Sequence, residues 1–426
     1  MRVNSAKKMA LFVVLPGLYL FCLLFLISLY PSPSRQAAVP EELRAKAEVI
    51  GFPGVRHTLE SESLILLDLF ESEVGIEGTG KQDLSLMGTG KYQPVNMLAL
   101  SSGSDGGAYG AGFLSGWTVA GNRPQFDVVS GVSTGALIAP FAFLGSEYDG
   151  TLETVYTNSY SGKIFAWRNI VASLFDDAVA DTSPLRDTID RYITRELLNK
   201  IADQYKNGRL LVVTTTNLDS RRTVVWNMTK IASFAAGGNR TALGLFRKVL
   251  LASASIPGVF PPVMFTVEAG GKRYEEMHAD GGIITQMFVY PPWLVESGIS
   301  ELSDIVRERR LYLIRNARHE PRAMDVSRKT VDILARAMRI LIFSRGVTDL
   351  YRIYLTAKQH GVEYNLAYVP ESFDAHHDGY FDQEYMRRLY AFGFNEAKNG
   401  YRWHKHPWLH GAMPSDGVVD DRVERP

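Results

Sequence analysis

The chain has 426 residues, with 46 Lys and Arg balancing 46 Asp and Glu, so its formal net charge is zero. That length exceeds a single small binding module and suits one large enzyme domain with additions. The charge balance lacks the basic footprint of a nucleic-acid binder. With 46% hydrophobic and 22% charged residues, the body is neither disordered nor a multi-span membrane protein. The single cysteine, Cys22, excludes an intramolecular disulfide and a cysteine-based zinc site.

From Met9 to Tyr30 the sequence carries no charge. At helical rise this run measures about 33 Å, enough for a bilayer core of about 30 Å. Arg2, Lys7 and Lys8 precede it and a Pro- and Ser-containing stretch follows. The positive-inside bias therefore predicts a cytoplasmic N-terminus and a body on the non-cytoplasmic side. A cleaved signal peptide is the alternative, but its apolar region spans about 7–15 residues and ends in a small-x-small site. Here the run is longer, and the nearest candidate, cleavage after Ala38, has Gln36 where a small residue belongs. Residues 1–35 are accordingly read as an anchor, with secretion after cleavage as the second reading.

Residues 36–94 read as a linker and approach segment, with Glu60–Phe70 a short helix or buried strand. Gly75–Lys81 has the G-x4-G-K spacing of a phosphate-binding loop. Gln82 stands where such a loop needs Ser or Thr, and no apolar strand leads into it, so the segment reads as a glycine loop.

From Val95 short apolar runs alternate with helical stretches, which argues for a layered α/β domain. VNMLALS is a strand, the Ala- and Gly-rich stretch Ala108–Trp117 a close-packed helix, FDVVSG a strand and GALIAPFAFLG a helix. Thr182-Ser183-Pro184 marks a helix start, and Leu185, Ile189, Ile193, Leu197 and Ile201 carry one helical period to Asn207-Gly208. LLVVTTTN and TVVWNM form a hairpin around Leu218–Arg222, and RLYLIRN at 310–316 is a further strand. After Asp325 the chain reads as helical, over Asp325–Arg345, Val347–His360 and Phe381–Lys398. A frayed tail closes it at 412–426.

Residues 131–135 read Gly-Val-Ser-Thr-Gly, a G-x-S-x-G string between a strand and a helix. That spacing makes a sharp turn that exposes a serine hydroxyl, with glycines where side chains would clash. The following helix points its N-terminal N–H groups at the serine and favours a developing oxyanion. Upstream, Ser102–Gly107 (SGSDGG) follows a strand and can gather backbone N–H groups into one concavity, although alone it reads as a simple turn. Asp280-Gly281-Gly282 leaves backbone room beside a carboxylate, but Asp-Gly is also a common turn pair.

In this order the three pieces resemble the patatin-like acyl hydrolases, and Ala252–Pro262 (ASASIPGVFPP) is similar to a fourth block of that family. The resemblance covers about 95–320 well and the helical part, 321–411, loosely. It implies a central, mostly parallel sheet flanked by helices and hydrolysis of fatty-acyl esters, phospholipid foremost, with no cofactor or metal. It also implies a Ser–Asp dyad in place of a histidine triad. Residue by residue it makes Ser133 the nucleophile and Asp280 the general base. Gly103, Ser104 and Gly107 would line the oxyanion loop, and Gly131, Thr134 and Gly135 would form the elbow, with the Thr134 N–H a further donor.

The chain departs from the family in that loop. Ser102 and Ser104 stand at glycine positions, and Asp105 or Gly106 stands where the family carries Arg or Lys. Backbone N–H groups survive a Gly→Ser change. What changes is the φ a side chain must tolerate and the local positive charge, so these departures bear on rate more than on reaction type. A scaffold that keeps the fold without activity is one alternative. A Ser-His-Asp esterase using His278, His319, His360, His376 or His377 is another. His404, His406 and His410 read as a surface cluster, and the Arg-rich stretch Arg328–Arg345 as a solvated face with an anionic lipid surface as its alternative.

Overall fold

The computed structural model describes residues 35–59, 94–158, 161–167, 178–289, 308–318, 325–377, 379 and 381–407. The apolar run Met9–Tyr30, the segments Glu60–Phe70 and Gly75–Lys81, and the tail from 412 lie outside the described residues. Among those described, no helix is long and apolar enough to cross a membrane.

Two short strands, β1 (Glu48–Val49) and β2 (Arg56–Thr58), lead into the strands that carry the fold. These are β3 (Val95–Leu100) and β4 (Val128–Val132), then, beyond a small ribbon of β5 (Ala166–Trp167) and β6 (Ala180–Asp181), β7 (Leu210–Asn217) and β8 (Arg222–Asn227). β9 (Val263–Ala269), β10 (Lys272–Asp280), β11 (Arg309–Arg318) and β12 (Glu363–Val369) complete them. The main sheet runs β1-β9-β10-β7-β4-β3-β11-β12, with β8 on the remaining edge of β7 and β2 beside β8.

β3, β4, β7, β11 and β12 pair in parallel, whereas β1, β2, β8, β9 and β10 join antiparallel. The sheet is therefore mixed, not mostly parallel as the resemblance implied. The reason is two hairpins, of which the sequence reading foresaw only β7–β8. The β9–β10 turn is Gly270-Gly271, both at positive φ (56° and 73°), the conformation that lets a two-residue loop match strand twist.

Side chains alternate across the sheet as the strand repeat requires. Leu98, Leu100, Leu211 and Val213 enter one core, while Met97, Ala99, Leu210 and Val212 enter the other. The first core is covered by helices α1 (Gly107–Val119), α2 (Thr134–Leu144), α3 (Asp149–Thr157) and α4 (Ser161–Ile164). α5 (Ser183–Tyr192), α6 (Arg195–Lys206), α7 (Met228–Ala236) and α8 (Ala242–Ser253) add to that layer. The second face is covered by Met287–Val289 and by Leu350, Ile353 and Ala357 of α9 (Thr330–Gln359). A last helix, α10 (Gln383–Lys398), returns to the first layer.

Three expectations change at the level of elements. The single helix read from Thr182 to Asn207 is two, α5 and α6, because Ile193 is extended (φ −91°, ψ 92°) and the Thr194 hydroxyl accepts the Leu197 N–H (3.3 Å) to cap a new start. The Arg247 Nε donates to the Ile193 carbonyl (2.9 Å) and occupies the break. The two helices read on either side of Gly346 are one, α9. The stretch after it is not wholly helical, since β12 extends the sheet beside β11.

α1 and α10 approach closely because α1 carries glycine where they cross. A Cβ on Gly112 would lie 2.1 Å from the Tyr390 carbonyl oxygen, and one on Gly116 2.1 Å from that of Phe394. Four residues separate the members of each pair, so i±4 rows interlock. Gly112→Ala or Gly116→Ala should each destabilise the fold by roughly 1–3 kcal/mol through overpacking, read as a lower midpoint in urea unfolding.

Candidate active site

Two strands end against each other on one edge of β7. β4 runs parallel to β7 and stops at the pair Val132–Thr214, while β10 runs antiparallel and stops at Asp280–Thr215. β8 holds the opposite edge from Val212 to Asn217, so β4 and β10 must share the remaining one. Ser133, the next residue after β4, therefore meets Asp280, the last residue of β10.

The meeting is a hydrogen bond: Ser133 Oγ donates to Asp280 Oδ2 at 2.6 Å, with the two residues 5% and 6% exposed. Ser133 sits at φ 55° and ψ −122°, a strained conformation for a residue with a side chain, and α2 starts directly after it. The elbow closes tightly. A Cβ on Gly131 would lie 2.4 Å from the Gly135 carbonyl oxygen, and one on Gly135 2.3 Å from that of Leu100. Thr134 Oγ1 lies 2.8 Å from the buried Tyr156 hydroxyl. Ser253, fully buried, accepts the Ser133 N–H (3.0 Å) and donates to the Thr214 carbonyl (2.8 Å), tying the elbow to β7.

The carboxylate of Asp280 is held on its other oxygen by the Gly282 N–H (2.7 Å), and its own N–H donates to Ser255 O (2.8 Å). Gly281 is demanded by a backbone contact, and Gly282 sits against the end of a side chain. A Cβ on Gly281 would lie 2.5 Å from the Thr214 carbonyl oxygen, and one on Gly282 2.7 Å from Gln286 Nε2. Burial pushes the Asp280 carboxyl up to about 6 against the opposing pull of the Ser133 and Gly282 hydrogen bonds.

The glycine-rich loop packs on Asn316 at the end of β11. A Cβ on Gly103 or Gly106 would fall 2.0 or 2.1 Å from the Asn316 carbonyl oxygen. Asn316 also donates through Nδ2 to Ser101 O (2.8 Å) and accepts the Gly110 N–H (3.1 Å). Gly107 lies against the elbow, where a Cβ would be 2.1 Å from Thr134 Oγ1. The Gly106 and Gly107 N–H groups donate within the turn, to Gly103 O and to the Ser104 and Asp105 carbonyls. Ser104 takes a left-handed φ of 54°, a position that favours glycine, and its hydroxyl is buried with no hydrogen-bond partner. Asp105 accepts from His377 Nε2 (2.8 Å) and the Phe381 N–H (3.1 Å), so its carboxylate is tied to the segment before α10. That bond raises the His377 pKa above its ordinary value.

Two residues that the sequence reading passed over join these parts. Asn316 is one. The other is Gln286, which accepts from the Ser102 hydroxyl, donates to Gly282 O, and accepts the Ser102 N–H on its own carbonyl (2.9 Å). Its N–H donates to the fully buried Asp349 (2.7 Å). Neither residue stands in a recognisable string; Gln286 is signalled only as a polar side chain before the apolar Met287–Val289, and Asn316, between Arg315 and Ala317, by nothing local.

Among the described residues no histidine is bonded to Ser133. His278, fully buried, meets Thr215 (2.8 Å) and Glu276 (3.2 Å), and burial lowers its pKa. His404 forms a backbone bridge with Leu366, while His319 and His410 lie outside the described residues. Among the described residues no cluster of three metal-ligating side chains occurs.

Residues 98–293 match the family model of the patatin-like phospholipases. The chain thus carries a patatin-like phospholipase domain, which at the level of the family is a lipid acyl hydrolase domain. It is also similar to VipD from Legionella pneumophila, whose crystal structure aligns over 74% of this chain and 69% of that one, at 12% identity and a TM-score of 0.30. Among curated proteins, none matches the chain.

A carboxyl whose pKa is raised in the folded state lowers stability above that pKa, and the penalty vanishes below the unfolded value of 3.8. Asp280→Asn removes it. The variant should unfold later than the wild type by of order 1–3 kcal/mol at pH 7–8. The difference should shrink as pH falls through about 6, measured by thermal unfolding across pH.

Proposed function

We propose that this protein is a serine acyl hydrolase that cleaves fatty-acyl esters of lipids, phospholipids foremost, through a Ser133–Asp280 dyad and an acyl-enzyme. The observation that carries this reading is the buried 2.6 Å bond from the Ser133 hydroxyl to a carboxylate whose pKa lies at about 6. An ordinary aspartate is a weak base, whereas a pKa of about 6 lies close to the operating pH at which general bases work best.

In the first step Asp280 Oδ2 takes the Ser133 proton while Oγ bonds to the ester carbonyl carbon. We assign the resulting oxyanion to the Gly103 and Ser104 N–H groups of the loop, since the Gly106 and Gly107 amides are engaged within their own turn. Collapse breaks the bond to the alcohol, which leaves with the proton from Asp280. Water then gives a proton to the same carboxylate as it attacks the acyl carbon, and the fatty acid departs as Ser133 is reprotonated.

The acyl chain has a matching wall. An apolar cleft is lined by Leu137, Phe141, Ile189, Leu250 and Met386 among others, and by Thr134, the residue after Ser133. The uncharged run Met9–Tyr30 supports a tether that holds the enzyme at a bilayer, with the catalytic part on the non-cytoplasmic side.

Ser133→Ala should abolish labelling by a fluorophosphonate probe and lower hydrolysis of a fluorogenic fatty-acyl ester by on the order of 10⁴ or more. Asp280→Asn should lower hydrolysis by about 10²–10⁴ in a folded protein. A wild type that folds but neither labels nor hydrolyses any lipid ester would remove the reading.

A further inference from the structure

α9 has two halves with different partners. From Gly346 onward it lies on the sheet, with Leu350, Ile353 and Ala357 in the core. Its C-terminal end turns back within a few residues into β12, so its N-terminal half points past the other ends of the parallel strands. That is the end where Ser133 sits. The helix crosses this edge beside the site: Arg345 Nε donates to Ile284 O (2.5 Å), two residues after Gly282, and the Arg315 guanidinium lies 5.3 Å from the Phe343 ring centre. Residues 330–345 then reach about 24 Å further at helical rise.

This outer half exposes large apolar side chains. Leu334 is 60% exposed, Met338 50% and Leu341 64%, and their i, i+4, i+7 spacing places them on one face. Ile333 and Ile340 are exposed beside them. Arg336 and Arg339 fall on the side of the helix away from that face, Arg328 and Lys329 stand just before its first turn, and Asp332 is the lone carboxylate in that stretch, while Arg345 is engaged by the Ile284 carbonyl and Asp349. In the inner half the apolar stripe turns to a different side, that of Leu350, Ile353 and Ala357. The outer stripe is therefore not an extension of the core face.

An apolar face on a helix whose other side carries arginines and almost no carboxylate fits a surface that is apolar beneath and anionic above. A second copy meeting this helix through a two-fold contact would set the same arginines against each other and offer no such complement. The arginines inside the run suit a helix lying in the interface, since their long stems bury while their heads reach phosphates. We propose that residues 330–342 of α9 dock on an anionic lipid bilayer, and that this docking turns the Ser133 edge of the sheet toward the membrane. The docking itself does not rest on hydrolysis, so it can fail or hold independently of the proposed activity.

The test uses the full chain with Cys22→Ser and an environment-sensitive fluorophore on Leu341→Cys, with Val119→Cys as control, since Val119 is also 57% exposed. On vesicles of phosphatidylglycerol and phosphatidylcholine the probe at 341 should shift to the blue and be quenched by lipid-borne quenchers. The probe at 119 should do neither, and Ser133→Ala should leave both results unchanged. Arg336→Glu with Arg339→Glu should weaken the response at 341 at least about tenfold in lipid concentration. A water-like signal at 341 while the protein sediments with the vesicles would overturn the proposal. So would equal insertion into pure phosphatidylcholine, or a blue shift without vesicles that disappears on dilution, which would mark a second copy.

Discussion

The site depends on one shared strand edge. β7 offers Thr214 to β4 and Thr215 to β10, and no further residue lies between them. The hydrogen-bond ladder thus brings the first residue after one strand and the last residue of another to 2.6 Å, although they stand 147 residues apart in the chain. Each is then locked from outside the ladder, Ser133 by the Ser253 hydroxyl and Asp280 by the Gly282 N–H. Because strand register is set by which face is buried, the two cores on either side of β4 and β7 also fix the distance between these two side chains.

That junction leaves no room for side chains, and the glycines follow from it. Gly131 and Gly135 admit the elbow, Gly281 admits the Thr214 carbonyl, and Gly103 and Gly106 admit that of Asn316. The same crowding dries the site. A carboxylate held there without a cationic partner is costly in its charged form, which raises its pKa toward the range useful to a base. Stability is given up locally at Asp280, at the strained Ser133 and at the left-handed Ser104, and the two cores around them hold these residues in place.

Sequence exposed those parts of the site where the backbone itself demands a residue type. G-x-S-x-G and D-G-G are legible because no other residue fits so close an approach. Gln286 and Asn316 are not, because each works through side-chain bonds to residues remote in the chain and leaves no local pattern. The fold divides similarly. β3, β4 and β7 contain short apolar runs and announce themselves, whereas β10 is half polar (KRYEEMHAD) and offers no apolar run to mark it as a strand. The break at Ile193–Thr194 keeps the helical spacing of its apolar residues, so periodicity hides it. The outer half of α9 reads as an ordinary amphipathic helix, and only its placement shows that its apolar face is exposed among the described residues.

The claim on which most rests is that a buried aspartate, not a histidine, activates the serine. The direct measurement is the rate of Ser133 phosphonylation by a fluorophosphonate as a function of pH. The rate should rise with one ionisation at about 6, the value burial gives Asp280, and the rise should be lost in Asp280→Asn. A profile that keeps its ionisation in Asp280→Asn, or loses it instead in His278→Gln or His377→Gln, would contradict the account.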